Sequence, residues 1–494
     1  MRPPRAYAVI QRVLQVAVRA FFRRVETEGT SNVPRQGGGL LVSWHPNGLV
    51  DPALILTRCP RQVVFGARHG LFRYPGLGML LERVGTVPIY RAMDLGRDTS
   101  AEARRAANRR SLDALAERVA GGAFSAPCPE GVSHDEPFLR ELKTGAARLY
   151  YRARQLTPEG APPPVIVCVG LHYDEKQMFR SNAMVAFHPV VQLPAELDVT
   201  PSGDVESDDV RQLSRRLTEL LETQLREVVH ATDDWDLHHL MHRTRRLVRA
   251  ERAHRSDADP GKTTIGERVL GFARVRAGYY AMLERDPQSV ATLRHRMEAY
   301  DEGLRALGLE DYDLDRPPRL VSKWLAFLVV LQAFGVFLLL PPVVALGYLV
   351  NLPTASLLAL IAWLAARKQK DAATVKLLAG LVAFPLTWIG VGVLAGLGHT
   401  WLHEAYPRVP DTALLSGVTM AALSAVGGAA GVRYWRVARE TARAVRVRLT
   451  HQRSRLAIAG LRDERAELHD AIIDLVADIE LPGTVAEDGR ILPS

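Results

Sequence analysis

Gly39-Leu40-Leu41-Val42-Ser43-Trp44-His45-Pro46-Asn47-Gly48-Leu49-Val50-Asp51-Pro52 reads as an apolar strand running into a polar turn. Residues 39–44 form the strand, and Pro46, Asn47 and Gly48 are turn formers. His45 and Asp51 stand six positions apart. Where the turn folds back, the carboxylate holds one imidazole nitrogen and leaves the other as a general base. Four further apolar runs lie at 63–67, 86–90, 165–171 and 184–188, with helical patterns over 101–120 and 139–155 between them. Such alternation predicts an α/β domain over residues 37–200.

Polar clusters follow those runs in order. Gly85-Thr86-Val87-Pro88-Ile89-Tyr90-Arg91 places a cation after a strand. Pro129-Glu130-Gly131-Val132-Ser133-His134-Asp135 places a carboxylate and a glycine turn after a short apolar stretch. Leu142-Lys143-Thr144-Gly145 opens a helix with an ammonium near its N-terminus, where an anion can be held. Val165-Ile166-Val167-Cys168-Val169-Gly170-Leu171 is a buried-strand run, followed by a polar segment with Lys176 and Arg180.

Taken together, over about residues 1–200, these clusters resemble the four blocks of the glycerophospholipid acyltransferase family, which includes lysophosphatidate and glycerol-3-phosphate acyltransferases. The His45–Asp51 block resembles the first motif, Gly85–Arg91 the second, Pro129–His134 the third and Val165–Leu171 the fourth. Two departures stand out. The family commonly has four residues between His and Asp; here there are five, as in a branch that includes fungal glycerol-3-phosphate acyltransferases. The third block, usually Pro-Glu-Gly-Thr-Arg, has Val132 and Ser133 in place of Thr-Arg, so the phosphate-binding Arg is absent from its usual position.

The resemblance implies a reaction without metal or cofactor, in which His45 takes the proton of an acceptor hydroxyl and Asp51 orients it. The co-substrate is acyl-CoA or acyl-carrier protein, and the acceptor is glycerol-3-phosphate or lysophosphatidate. Glu130 and Gly131 are expected at the substrate. Arg68, Arg91 and Lys143 are the candidates to replace the missing phosphate ligand. Another lysolipid or a phosphate-free acceptor is the alternative, and a non-catalytic membrane scaffold is the reading from another class.

The rest of the chain differs in kind. The windows 324–366, 377–403 and 412–432 contain no Asp, Glu, Lys or Arg. A helical crossing needs about 20 mostly apolar residues, so an integral membrane protein is expected. Lys323 precedes the first window, Arg367, Lys368 and Lys370 follow it, and six arginines from Arg433 to Arg448 follow the last. The positive-inside rule then puts both ends and the enzyme domain on the cytoplasmic face, in a bacterial inner membrane. Four passes are expected, with 324–366 a hairpin turning near Pro341-Pro342 or Asn351-Leu352-Pro353; two full crossings preceded by a re-entrant hairpin are the alternative.

The fold expectation is therefore an α/β acyltransferase domain with an N-terminal amphipathic helix, a helical middle region and a C-terminal helical membrane domain. Its boundaries are 1–36 for a membrane-surface helix and lead-in segment and 37–200 for the acyltransferase domain. A charged helical region follows at 201–320, transmembrane helices at 321–432, and a basic, amphipathic cytoplasmic helix and tail at 433–494. In residues 5–24, Ile10, Leu14, Ala17 and Phe21 share one helical face and Arg5, Arg12, Arg19 and Arg23 another, as in a helix lying on an anionic bilayer. Docking on its own domain is the alternative. Leu461, Leu468, Ile472, Leu475 and Ile479 form a stripe read as packing on protein or membrane.

The net charge of +9 comes with 56 Arg and only 7 Lys, a usage that follows genome composition, and no nucleic-acid module accompanies it. The partners expected are an acyl thioester, a glycerophospholipid precursor and the bilayer. Cys59, Cys128 and Cys168 lie far apart, as reduced thiols do. Gly261-Lys262-Thr263 lacks the first Gly of a P-loop, and His238 and His242 lack the Glu of a zinc protease. No Gly-x-Ser-x-Gly elbow supports a serine hydrolase. The apolar windows hold no charged group for a transporter's ion or substrate.

Overall fold

A computed structural model describes residues 5–73, 77–90, 101–176, 178–204, 207–257, 263–315, 340–365, 372–486 and 489–493, with scattered positions between 327 and 338. The chain divides into two compact units. One is Met1–His238 with Lys368–Thr374, the other His239–Arg367 with Val375–Ser494.

The first unit is built on a six-stranded sheet of order β1-β8-β7-β2-β6-β3. Its strands are β1 (Arg24–Glu28), β2 (Gly39–Ser43), β3 (Val63–Val64), β6 (Phe124–Ser125), β7 (Val165–Tyr173) and β8 (Asn182–Val190). Only β7 and β8 pair antiparallel; the other pairs are parallel. Helices α2 (Val50–Arg58), α4 (Ala101–Ala120) and α5 (Gly145–Leu156) connect them. Leu40, Val42, Ala116, Val119, Ala147, Tyr151, Ile166 and Cys168 form one buried core.

Several expectations shift. The run at 63–67 splits into β3 and β4 (Gly66–Arg68). β4 pairs with β5 (Val87–Ile89) in a separate two-stranded sheet, so the second block stands off the main sheet. The domain does not stop at residue 200. Helix α6 (Asp208–Val228) buries Val210, Leu217, Leu221 and Leu225, spaced for one helical face, in the same core.

Helix α1 (Arg5–Phe21) takes the docked arrangement given above as the alternative. Its stripe is docked on protein: Tyr7, Ile10 and Leu14 pack with Leu56, Val84 and Phe65. Gln11 donates to the Leu56 carbonyl at 2.9 Å. What faces outward is Val9, Val13 and Val16, among exposed Arg12 and Arg19.

The second unit is helical. Helix α7 (Trp235–Arg255) enters it, followed by α8 (Ile265–Arg285) and α9 (Pro287–Leu307). Then come the apolar α10 (Leu340–Ala365), α11 (Ala372–Ala405) and α12 (Ala413–Arg453), and α13 (Arg455–Leu475). A β9–β10 hairpin (Thr484–Val485, Ile491–Leu492) ends it. The stripe on α13 packs on protein: Leu461, Leu468 and Ile472 join Leu247, Met297 and Leu304. Arg465, on the same face, is fully buried. It donates to both oxygens of Asp315 at 2.7 Å, to Glu251 at 2.8 Å and to the Asp311 carbonyl at 2.9 Å.

Two of the apolar helices, over Ala379–Ala405 and Ala413–Arg453, are long and apolar enough to cross a membrane; Gly347–Ile361 is a shorter apolar stretch. The expected turn at Asn351-Leu352-Pro353 is absent, because α10 runs through it. Asn351 is instead a buried junction of three helices. Its amide donates to Gly347 and Ser424 carbonyls at 2.8 and 2.9 Å and its oxygen accepts from Trp388 Nε1 at 2.9 Å. The other proposed turn, Pro341-Pro342, falls in the first turn of α10. Helices α10 and α12 cross at glycine: a Cβ on Gly347 would meet the Gly427 carbonyl oxygen at 2.5 Å.

Candidate active site

In a parallel sheet the loops leaving the C-terminal ends of strands share one edge, and ligands bind there. β7, β2 and β6 are neighbouring parallel strands. The loops after β2 and β6, and the end of β7 itself, carry the candidate chemistry.

After β2, the chain turns at Gly48, whose φ of +47° lies in the left-handed region glycine favours, and Val50 N–H closes the turn on the Asn47 carbonyl at 3.0 Å. This turn absorbs the fifth residue between His45 and Asp51. His45 Nδ1 and Asp51 Oδ2 meet at 2.8 Å. A carboxylate only accepts, so Nδ1 carries the hydrogen and Nε2 keeps its lone pair. Among the described residues Nε2 has no hydrogen-bond partner, and the His45 side chain is 20% exposed whereas Asp51 is fully buried.

Asp51 is held from three sides. Asn47 N–H donates to Oδ2 at 2.7 Å, and the Tyr173 hydroxyl donates to Oδ1. Burial, then the Asp51 charge and the bond to it, hold the Tyr173 hydroxyl well above its ordinary pKa, so it remains a donor. Asn47 is itself anchored through its amide to the Lys176 carbonyl at 3.0 Å.

After β6, Glu130 is buried with both oxygens engaged. Oε2 accepts from His45 N–H at 3.2 Å; Oε1 accepts from Arg140 N–H at 3.0 Å and pairs with His134 Nε2. The structure thus places Glu130 against the His45 backbone, with its side chain fully buried. His134 N–H returns a bond to the His45 carbonyl at 3.1 Å. Gly131, at φ +69°, keeps the turn tight against Lys143: a Cβ there would lie 3.0 Å from Lys143 Nζ.

Of the proposed phosphate ligands, Lys143 is therefore brought to the Glu130 turn, in the loop before α5, exposed and without an ion-pair partner among the described residues. Arg68 is exposed at the end of β4, opposite Ile89. Arg91 lies outside the described residues. Tyr173 and His134 were not assigned from sequence. Tyr173 had a signal: it follows Val169 and Leu171 at period two, on a strand whose Val169 pairs with Ser43 of β2.

Among the described residues no cluster of His, Cys, Asp and Glu gathers for a metal. His238 meets the Thr232 hydroxyl at 3.3 Å, and His242 packs on Phe272.

Residues 24–171, which carry His45, Asp51, Glu130 and Lys143 and end before Tyr173, match the family model described as Acyltransferase. This segment is similar to the glycerophospholipid acyltransferase family. An uncharacterized acyltransferase of Schizosaccharomyces pombe is 23% identical over 382 residues, 61% of this chain and 54% of that protein. Glycerol-3-phosphate O-acyltransferase 2 of Saccharomyces cerevisiae is 25% identical over 186 residues, 38% of this chain and 23% of that protein. The chain thus spans about half or less of the curated relatives it matches. The crystal structure of the 1-acyl-sn-glycerophosphate acyltransferase of Thermotoga maritima aligns over 44% of this chain and 79% of its own, at 15% identity and a TM-score of 0.30, too slight a likeness to carry an argument.

Proposed function

We propose that the protein transfers a fatty acyl group from an acyl thioester, acyl-CoA or acyl-carrier protein, to a hydroxyl of glycerol-3-phosphate or lysophosphatidate. The observation that carries this reading is the His45 Nδ1–Asp51 Oδ2 bond of 2.8 Å, with Nε2 left open. Nε2 takes the hydroxyl proton as the oxygen attacks the thioester carbonyl. As the tetrahedral adduct collapses, the carbon–sulfur bond breaks, and the imidazolium returns its proton to the leaving thiolate. Asp51 keeps the tautomer and stabilises the imidazolium. Lys143 is the cation best placed to hold the acceptor phosphate.

The bilayer belongs to the same proposal. Helices α11 and α12 turn Leu386, Ile389, Val393, Leu394, Leu414 and Val418 outward, a surface suited to lipid. With the arginines after Val432 on the cytoplasmic side, the enzyme domain faces the cytoplasm.

The test is thioester consumption by purified wild type and His45→Ala with glycerol-3-phosphate, lysophosphatidate and uncharged monoacylglycerol as acceptors. Turnover with a phosphate acceptor that His45→Ala loses supports the proposal. No turnover with any acceptor, or full activity in His45→Ala, overturns it. Preference for monoacylglycerol overturns the phosphate assignment.

A further inference from the structure

The strand ladder stops before the base it delivers. β2 pairs with β7 as far as Ser43, opposite Val169, and with β6 through Gly39 and Leu40. His45 lies beyond that ladder, and Pro46 after it brings no N–H. The N–H and C=O of His45 therefore need partners from outside the sheet. The segment after β6 supplies both. Glu130 Oε2 accepts from His45 N–H at 3.2 Å, and His134 N–H donates to the His45 carbonyl at 3.1 Å. The His134 ring then closes the bracket, its Nε2 meeting Glu130 Oε1.

Glu136 fixes the tautomer of that ring. Its N–H donates to His134 Nδ1 at 3.3 Å, so Nδ1 offers the lone pair and Nε2 carries the hydrogen, which goes to Glu130. The side chains of Glu130 and His134 are 0% and 2% exposed. Arg140 gives Glu130 its backbone N–H at 3.0 Å, while its guanidinium turns to Glu136 at 3.5 Å. Among the described residues the buried carboxylate is thus held by three N–H donors, and His134 is the one that comes from a side chain. Trp44 packs edge-on against the His134 ring at 6.4 Å and is itself tied by Nε1 to the Leu171 carbonyl at 3.0 Å. A buried carboxylate that loses one donor is left under-satisfied and turns toward what remains.

We propose that His134 is a positioning residue for the acyl transfer: through Glu130 it fixes the backbone of His45, and so the direction of Nε2, without touching either substrate. The proposal rests on the acyl-transfer reading given above. Misplacing a reacting group by about 1 Å costs on the order of 10²-fold in rate.

The experiment compares wild type, His134→Phe, His134→Asn and His134→Gln as full chains in phosphatidylcholine nanodiscs, with acyl-CoA and lysophosphatidate as substrates. Phe keeps a ring without a donor, Asn is too short to reach Glu130, and Gln returns an N–H. Phe and Asn should each lower kcat about tenfold or more, with both KM values within about twofold, and Gln should restore most of the loss. In a Glu130→Gln background His134→Phe should cost little further, because its effect runs through that carboxylate. Exchange of the His45 amide, followed by mass spectrometry without substrate, should accelerate in Phe and Asn and slow again in Gln. Melting temperatures separate lost positioning from a lost fold. Unchanged kcat with a lower melting temperature, a raised KM at constant kcat, or losses that multiply with Glu130→Gln overturn the proposal. If wild type turns over no acceptor, the acyl-transfer reading fails, and the amide exchange decides the bracket alone: wild-type exchange in Phe and Asn overturns it.

Discussion

Two places in this molecule bury a carboxylate against a nitrogen base. Around Arg465 four of the five guanidinium N–H donors are bound to Asp315, Glu251 and a carbonyl, and the side chain is fully buried, out of reach of another molecule. Around His45 the arrangement stops one bond short. Asp51, Asn47, Tyr173 and Glu130 fix the imidazole and its backbone, yet Nε2 is left without a partner among the described residues. The same chemical vocabulary gives a closed node in one unit and an open one in the other. The distinction lies in the single unfilled valence.

The comparison can be broken most forcefully at the two nitrogen bases. His45→Ala should lower turnover roughly 10²–10⁴-fold, the usual worth of general-base catalysis, with the melting temperature little changed. Arg465→Met should do the reverse in kind. It takes from Glu251 and Asp315 the buried guanidinium they share, leaving them to their more exposed partners Arg255 and His254, and should cost about 3 kcal/mol of stability, read as denaturant unfolding of the helical unit. Comparable melting losses in the two variants would erase the distinction.

Smaller changes sharpen it. Tyr173→Phe removes one hydrogen bond to a buried carboxylate, about 1.5–3 kcal/mol. It should lower kcat about tenfold while acceptor KM stays nearly constant. Lys143→Ala should raise the KM for a phosphate acceptor severalfold, more than Arg68→Ala does, and leave the KM for the thioester alone; the opposite order moves the anion site to the β4–β5 pair.

The least effect is on stability with pH. Burial, then His230 and His188, hold His172 well below its ordinary value of 6.5. The unfolded chain therefore binds a proton below that pH that the fold refuses. Stability is full above about pH 6.5 and declines as pH falls through the window beneath it. His172→Gln should flatten that decline in a melting series from pH 7.5 to about 5.

The main sheet and its chemistry were largely legible, because the strand before His45 and the run at 165–171 are buried on both faces and read as continuous apolar segments. β1, Arg-Val-Glu-Thr-Glu, was not, since an edge strand has little to bury. β6 is two residues long and gives no period to detect. At the site, His45 and Asp51 were readable from spacing. Period two puts Tyr173 on the face of Val169 and Leu171, but its role comes from the register between β7 and β2, which that spacing does not record. The bend expected at Asn351–Pro353 failed for a related reason. Proline suggested a break, while the partners that hold the helix straight sit on α11 and α12.

The crossing of α10 and α12 at Gly347 and Gly427 restricts what random mutation can do there. In a saturation library, these two positions should reject even alanine, while Leu349, two residues away and 74% exposed, should accept any aliphatic side chain. A tolerance map of α10 would therefore show one silent stripe and one forbidden one. The forbidden stripe marks where two backbones touch, so it reports the helix crossing directly from the survivors of selection.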